Sequence, residues 1–130
     1  MCEPVNPGGT ACYAYIIKRS WKVIDKDYGI IGTGAEMTNN VAEYTALIQA
    51  MQKVKSLGLD NEKIVVRSDS RLVAEGMSKN WKIKAPRVLP LYTMAKMLAS
   101  NMDITFEWIP REQNEETDGL CRLAYESTQK

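Results

Sequence analysis

The chain contains no histidine, so Ser-His-Asp and Cys-His catalysis, HExxH chemistry and His-ligated zinc are excluded. Carboxylates must carry any acid, base or metal work. Three of them stand at the ends of predicted elements. Glu43 falls in the first turns of an amphipathic pattern and shares a face with Leu47 and Ala50, at offsets of four and seven, so it is directed toward the sheet side rather than fully into water. Asp69 follows an apolar run, at the strand end where open α/β sheets place their ligand crevice. Asp118 lies in the first turn of the last predicted helix. All three can project toward one rim of a sheet. Taken singly, each also has a plainer reading: Glu43 and Asp118 complement a helix macrodipole, and Asp69 caps a strand-to-helix turn.

The elements that must position these acids can be read along the chain. Asn6-Pro7-Gly8-Gly9 is a turn cluster, followed by a strand over 10–18 (TACYAYIIK). A second strand is expected from about Trp21 to Gly32, interrupted or bulged at Asp25-Lys26-Asp27, with Gly29, Gly32 and Gly34 loosening the chain. From Thr38 to Leu57 the apolar positions Tyr44, Leu47, Ile48, Met51, Val54 and Leu57 recur at spacings of three and four, which predicts a helix stopped by Gly58. The run 63–68 (KIVVRS) suits a strand buried on both faces. A short helix over 70–78 and an aromatic-basic loop, Asn80 to Lys84, come next. Pro86 opens a helix that runs to about Ser100. Residues 103–109 (DITFEWI) alternate as a strand, and Asn114 caps a last helix over about 115–127. This order predicts an α/β fold with a mixed sheet.

Length and composition set the outer bounds. With 130 residues, 45% hydrophobic and 25% charged, one globular domain over 1–130 is expected. Seventeen Lys plus Arg against sixteen Asp plus Glu give a net charge of +1, so nucleic-acid contact must come from a local patch rather than a global field. No apolar run approaches the roughly 20 residues that cross a bilayer. Cys2, Cys12 and Cys121 show no CxxC spacing, which predicts reduced thiols and a cytoplasmic chain without membrane contact.

The text around the acids carries a resemblance. Thr38-Asn39-Asn40-Val41-Ala42-Glu43-Tyr44, Ser68-Asp69-Ser70 after an apolar strand, and Trp108-Ile109-Pro110-Arg111-Glu112-Gln113-Asn114 with Thr117-Asp118-Gly119-Leu120 together resemble type 1 ribonuclease H, in particular the bacterial and archaeal subgroup whose last loop lacks histidine. Asn6-Pro7-Gly8-Gly9 matches the family's first turn. The resemblance implies a ribonuclease H-like mixed sheet with flanking helices that cuts the RNA strand of RNA/DNA hybrids. It implies Glu43, Asp69 and Asp118 as catalytic metal ligands for two Mg²⁺, with Mn²⁺ as the alternative, which neutralise the scissile phosphate and activate a water. It places Asn6, Asn39 and Asn40 against the hybrid's minor groove, where the 2′-hydroxyl distinguishes RNA from DNA. Trp81, Lys82, Lys84 and Arg87 form a cluster suited to DNA-strand phosphates, with a core anchor as the other reading of Trp81. Arg111 or Glu112 takes the place of the missing loop histidine, with a solvated loop cation as the other reading of Arg111.

The same resemblance places the family's fourth acid two residues ahead of Met1, so the first strand, central in the family's sheet, is expected ahead of this sequence. Without it, two strands would present unpaired N–H and C=O groups to a gap. An alternative function follows, a catalytically inactive hybrid-binding module of the same fold. A monomer is expected, with a strand-exchanged dimer as the alternative.

Overall fold

A computed structural model describes residues 2–3, 10–19, 22–34, 38–79 and 86–116. The elements run β1 (Cys2–Glu3), β2 (Thr10–Arg19), β3 (Lys22–Thr33), α1 (Asn39–Ser56), β4 (Ile64–Ser68), α2 (Arg71–Lys79), α3 (Leu89–Ala99), β5 (Ile104–Trp108) and a 3-10 turn, Arg111–Asn114. The strands form two sheets: an antiparallel one in the order β1-β2-β3, and a parallel pair, β4-β5. The α/β class and the ribonuclease H-like order of elements are as expected.

Helix α1 is the central element, and its ends are chemically defined. The Thr38 hydroxyl accepts from the Val41 N–H at 3.1 Å, satisfying one of the donors that a helix start leaves open. At the other end the Gly58 N–H donates to the Lys55 carbonyl at 3.1 Å and the Leu59 N–H to the Val54 carbonyl at 3.0 Å. This closing pattern needs a left-handed residue, and Gly58 supplies it at φ +74°. Between the caps, Val41, Tyr44, Leu47, Ile48 and Met51 join Val73, Met77, Val88 and Ala95 in one buried cluster.

Three expectations are corrected. Strand β3 runs unbroken through Asp25-Lys26-Asp27, paired with Ile17, Ile16 and Tyr15 of β2. The acids are held there by β2: the Tyr15 hydroxyl donates to Asp25 at 3.4 Å and the Tyr13 hydroxyl to Asp27 at 3.1 Å. The register shifts fall between Ala11 and Cys12 and between Ile17 and Lys18, the second skipping Ile24 of β3, so the expected bulge lies directly beside Asp25 rather than within the triplet. Gly29 lies inside this strand opposite Tyr13, where an added Cβ would stand 2.9 Å from the Tyr13 ring. It makes room for a side chain rather than loosening the chain. Second, Pro86 does not open α3; the helix begins at Leu89 with Pro90 in its first turn, because Val88 is buried in the core cluster and fixes the entry. Third, β4 is not buried on both faces. Val65 is 47% exposed and Arg67 is exposed, while Val66 packs on the core. Among the described residues the strand pairs with β5 alone. The last predicted helix lies almost wholly outside the described residues.

Candidate active site

Glu43 is half-buried on α1 and lines a cavity of about 560 Å³ together with Leu47, Ala50, Ser68 and Asn114. The offsets of four and seven do place Glu43, Leu47 and Ala50 on one face. Asp69 follows the cavity-lining Ser68 directly, at the end of β4, and is half-buried. The cavity therefore brings Glu43, on a helix, to the strand end that immediately precedes Asp69.

The Asp69 segment is held on three sides. The buried Ser68 hydroxyl accepts from the Ser70 N–H at 3.0 Å, and the Ile109 N–H donates to the Ser68 carbonyl at 2.9 Å. The Trp108 Nε1–H donates to the Asp69 carbonyl at 3.1 Å. The Arg71 guanidinium stands 4.4 Å from the centre of the Trp108 ring, a cation–π contact, and 3.8 Å from Glu75. Parallel pairing explains this geometry: β4 and β5 run in register to Ser68↔Trp108, so the residue after one strand end meets the last side chain of the other. Sequence spacing gives Trp108 no partner. The signal was the matched length of the two apolar runs, each ending just before the polar segment.

Segments carrying Glu43 and Asp69 are also tied through their neighbours. Tyr44 is 0% exposed and its hydroxyl donates to the Leu72 carbonyl at 2.8 Å. Burial pushes this hydroxyl's pKa up to about 12, so it stays a donor across the physiological range.

The remaining expected residues divide. Asn39 and Asn40 open α1 and are exposed, Arg111 and Glu112 are exposed in the 3-10 turn, and Arg87 is exposed ahead of α3. Asp118, Asn6, Trp81, Lys82 and Lys84 lie outside the described residues. Among the described residues no group of three His, Cys, Asp or Glu side chains forms a metal cluster. The two acids that are described offer oxygen donors only, and Cys12 is buried. That donor chemistry fits a hard divalent cation and not zinc.

The sequence matches the family described as reverse transcriptase-like over residues 24–124. The chain belongs to this family. Among solved structures, the N-terminal RNase H domain of a Mycobacterium tuberculosis protein is 38% identical, with a TM-score of 0.82, covering 94% of this chain and 86% of that one. LC11-RNase H1 in complex with RNA/DNA hybrid is 28% identical, with a TM-score of 0.86, covering 96% and 91%. A curated bifunctional protein of M. tuberculosis is 42% identical over 91 residues, 69% of this chain. The chain spans about a quarter of that relative's length, 24%. Reverse transcriptase-like membership and these overlaps make the fold that of type 1 RNase H. Among the described residues no helix is long and apolar enough to cross a membrane.

Proposed function

We propose that this domain hydrolyses the RNA strand of RNA/DNA hybrids, with Glu43, Asp69 and Asp118 as its carboxylate set. The observation that carries the reading is that Glu43 and Ser68, the residue directly before Asp69, line one cavity, on a fold whose solved relative holds such a hybrid. Mg²⁺, with Mn²⁺ as the alternative, would supply charge neutralisation at the phosphate and a nucleophilic water. The chain's own contribution is positional. Glu43 and Asp69 would supply anionic oxygens, and the Trp108, Ser68 and Ser70 contacts hold the backbone that carries Asp69.

Asn39 and Asn40, exposed at the start of α1, would meet the minor groove, where amides can both donate to and accept from a 2′-hydroxyl. Arg111, exposed in the turn after β5, would contact phosphate. Asn6, Trp81, Lys82 and Lys84 complete the proposed surface from outside the described residues. The domain would act as a monomer in the cytoplasm, at a substrate reached by local contacts rather than a global positive field.

A second reading, a binding module that does not cleave, is favoured by one observation: among the described residues no strand joins the two sheets beside Glu43. One experiment separates the two. The chain is incubated with a strand-labelled hybrid and Mg²⁺, and binding and cleavage are recorded together. Cleavage of the RNA strand, reduced about a hundredfold or more in Asp69→Asn, supports the nuclease. Binding with no product from either protein supports the module. Cleavage unaffected by Asp69→Asn overturns the assignment of the site.

A further inference from the structure

Strand β3 has an outer edge that is blocked at its middle by one side chain. Among the described residues it is paired with β2 alone, so alternate backbone N–H and C=O groups are turned away from β2. Twelve residues of such an edge are a template for another strand. The side chains beside it are largely apolar: Ile24, Tyr28 and Ile30 are 43%, 43% and 37% exposed, and alternation puts them on one face with the exposed Lys26.

The block is the Asp27 carboxylate. The Tyr13 ring reaches across from β2 onto Gly29, and its hydroxyl donates to Asp27 Oδ2 at 3.1 Å. The other oxygen, Oδ1, accepts from the Tyr28 N–H at 2.9 Å. That N–H therefore bonds within its own strand rather than to Ala14 opposite, and it is a donor that a further strand would need. Gly29 makes the reach possible, because a Cβ there would stand 2.9 Å from the ring and push the hydroxyl off Asp27.

The order of residues along β3 specifies the strand that this edge fits. An antiparallel second copy, related by a two-fold axis at Asp27, sets Ile24 against Ile30 of the copy and Lys26 against its Tyr28, so apolar meets apolar and an ammonium meets a ring. An axis at Lys26 would set Lys26 against itself, and one at Tyr28 would set it against Ile30. In the favoured register the two Asp27 carboxylates oppose each other on the other face, where Cβ atoms stand about 4.5–5.5 Å apart and like charges repel. One side chain thus occupies the Tyr28 donor and repels the matching strand.

We propose that the outer edge of β3 is a pairing surface for β3 of a second copy, held closed by the Tyr13–Asp27–Tyr28 contact. While the contact is made the chain stays single. Without the carboxylate the Tyr28 donor is released and the repulsion is gone, and two copies join β3 to β3 in one continuous sheet. The inference involves neither Glu43 nor Asp69 and stands apart from the nuclease reading.

Sedimentation equilibrium of chain 1–130 and of Asp27→Val, at loadings from about 1 to 100 μM, tests it. Valine suits a strand, and circular dichroism confirms that the variant is folded. The parent should sediment as one copy throughout. Asp27→Val should associate as a dimer at least tenfold more tightly, with amide exchange at Lys26, Tyr28 and Ile30 slowed about tenfold at the high loading. Tyr13→Phe gives a second reading in the single chain: Asp27 stays but loses its anchor, so the Tyr28 amide should exchange about fivefold faster at low loading. If Asp27→Val does not fold, that exchange rate decides alone. A folded Asp27→Val that stays single, association that protects only amides outside β3, or Tyr28 exchange unchanged in Tyr13→Phe would overturn the proposal. So would a parent already dimeric with its Tyr28 amide protected, since the contact would not then close the edge.

Discussion

Tyr44→Phe removes one oxygen atom from the tie between the two acid-bearing segments, and its cost can be worked from the contacts. The ring stays: Tyr44 is fully buried, and its edge-to-face contact with Tyr92, with centroids 6.0 Å apart at 85°, does not involve the hydroxyl. What is lost is the 2.8 Å bond to the Leu72 carbonyl. Leu72 lies in α2, where its carbonyl also accepts from the N–H four residues on. The acceptor is therefore not orphaned, and the penalty of about 1–3 kcal/mol for an unsatisfied buried group does not apply in full. An ordinary net hydrogen bond of about 1 kcal/mol is expected. In urea the midpoint should fall by about half a molar with an unchanged slope, and the thermal midpoint by about 4 °C. Tyr44→Ala, which empties a buried aromatic site, should cost about 3–5 kcal/mol. A Tyr44→Phe protein as stable as the parent would show the bond is not made, and a loss near that of the alanine variant would show that the ring does not keep its place.

Other outcomes follow from the same contacts. Burial pushes the Tyr15 and Tyr44 hydroxyls from 10.0 up to about 12, with Asp25 adding to the effect at Tyr15. The folded state then keeps protons that the unfolded chain releases, so stability is full below pH 10 and is lost as pH rises toward 12; chemical denaturation across that window checks this, and Tyr44→Phe should show a shallower fall. Gly29→Ala puts a Cβ 2.9 Å from the Tyr13 ring, whose hydroxyl is anchored on Asp27, and should destabilise by about 1 kcal/mol in a thermal melt even though alanine suits a strand better. Trp108→Phe keeps a ring beneath Arg71 but loses the donor to the Asp69 carbonyl; hybrid cleavage should drop about tenfold with a midpoint shift under about 4 °C, because the site is exposed and the bond modest.

How much the sequence discloses depends on whether the deciding contact is local. Helix α1 is legible because its apolar positions and both caps, Thr38 and Gly58, lie within the element itself. The same holds for the direction of Glu43, which follows from its offsets to Leu47 and Ala50. Asp25-Lys26-Asp27 misleads because the tyrosine hydroxyls that stabilise those acids come from the paired strand β2. Pro86 and Pro90 give equal local signals, and burial of Val88 chooses between them. The exposure of Val65 on β4 depends on which elements pack against the strand, and no property of residues 63–68 encodes that. Trp108 sits within a quoted motif, yet its bond to the Asp69 carbonyl exists only once β4 and β5 are aligned in parallel.

The central claim is that Glu43 and Asp69 serve one reaction centre, and a double-substitution cycle on hybrid cleavage tests it most directly. Initial rates are measured for the parent, Glu43→Gln, Asp69→Asn and the double variant, with circular dichroism confirming that each is folded. Residues acting as one unit give grossly non-additive losses, so the double variant should be no slower than the worse single variant within about twofold. Losses that multiply, or a parent with no cleavage at all, would contradict the account.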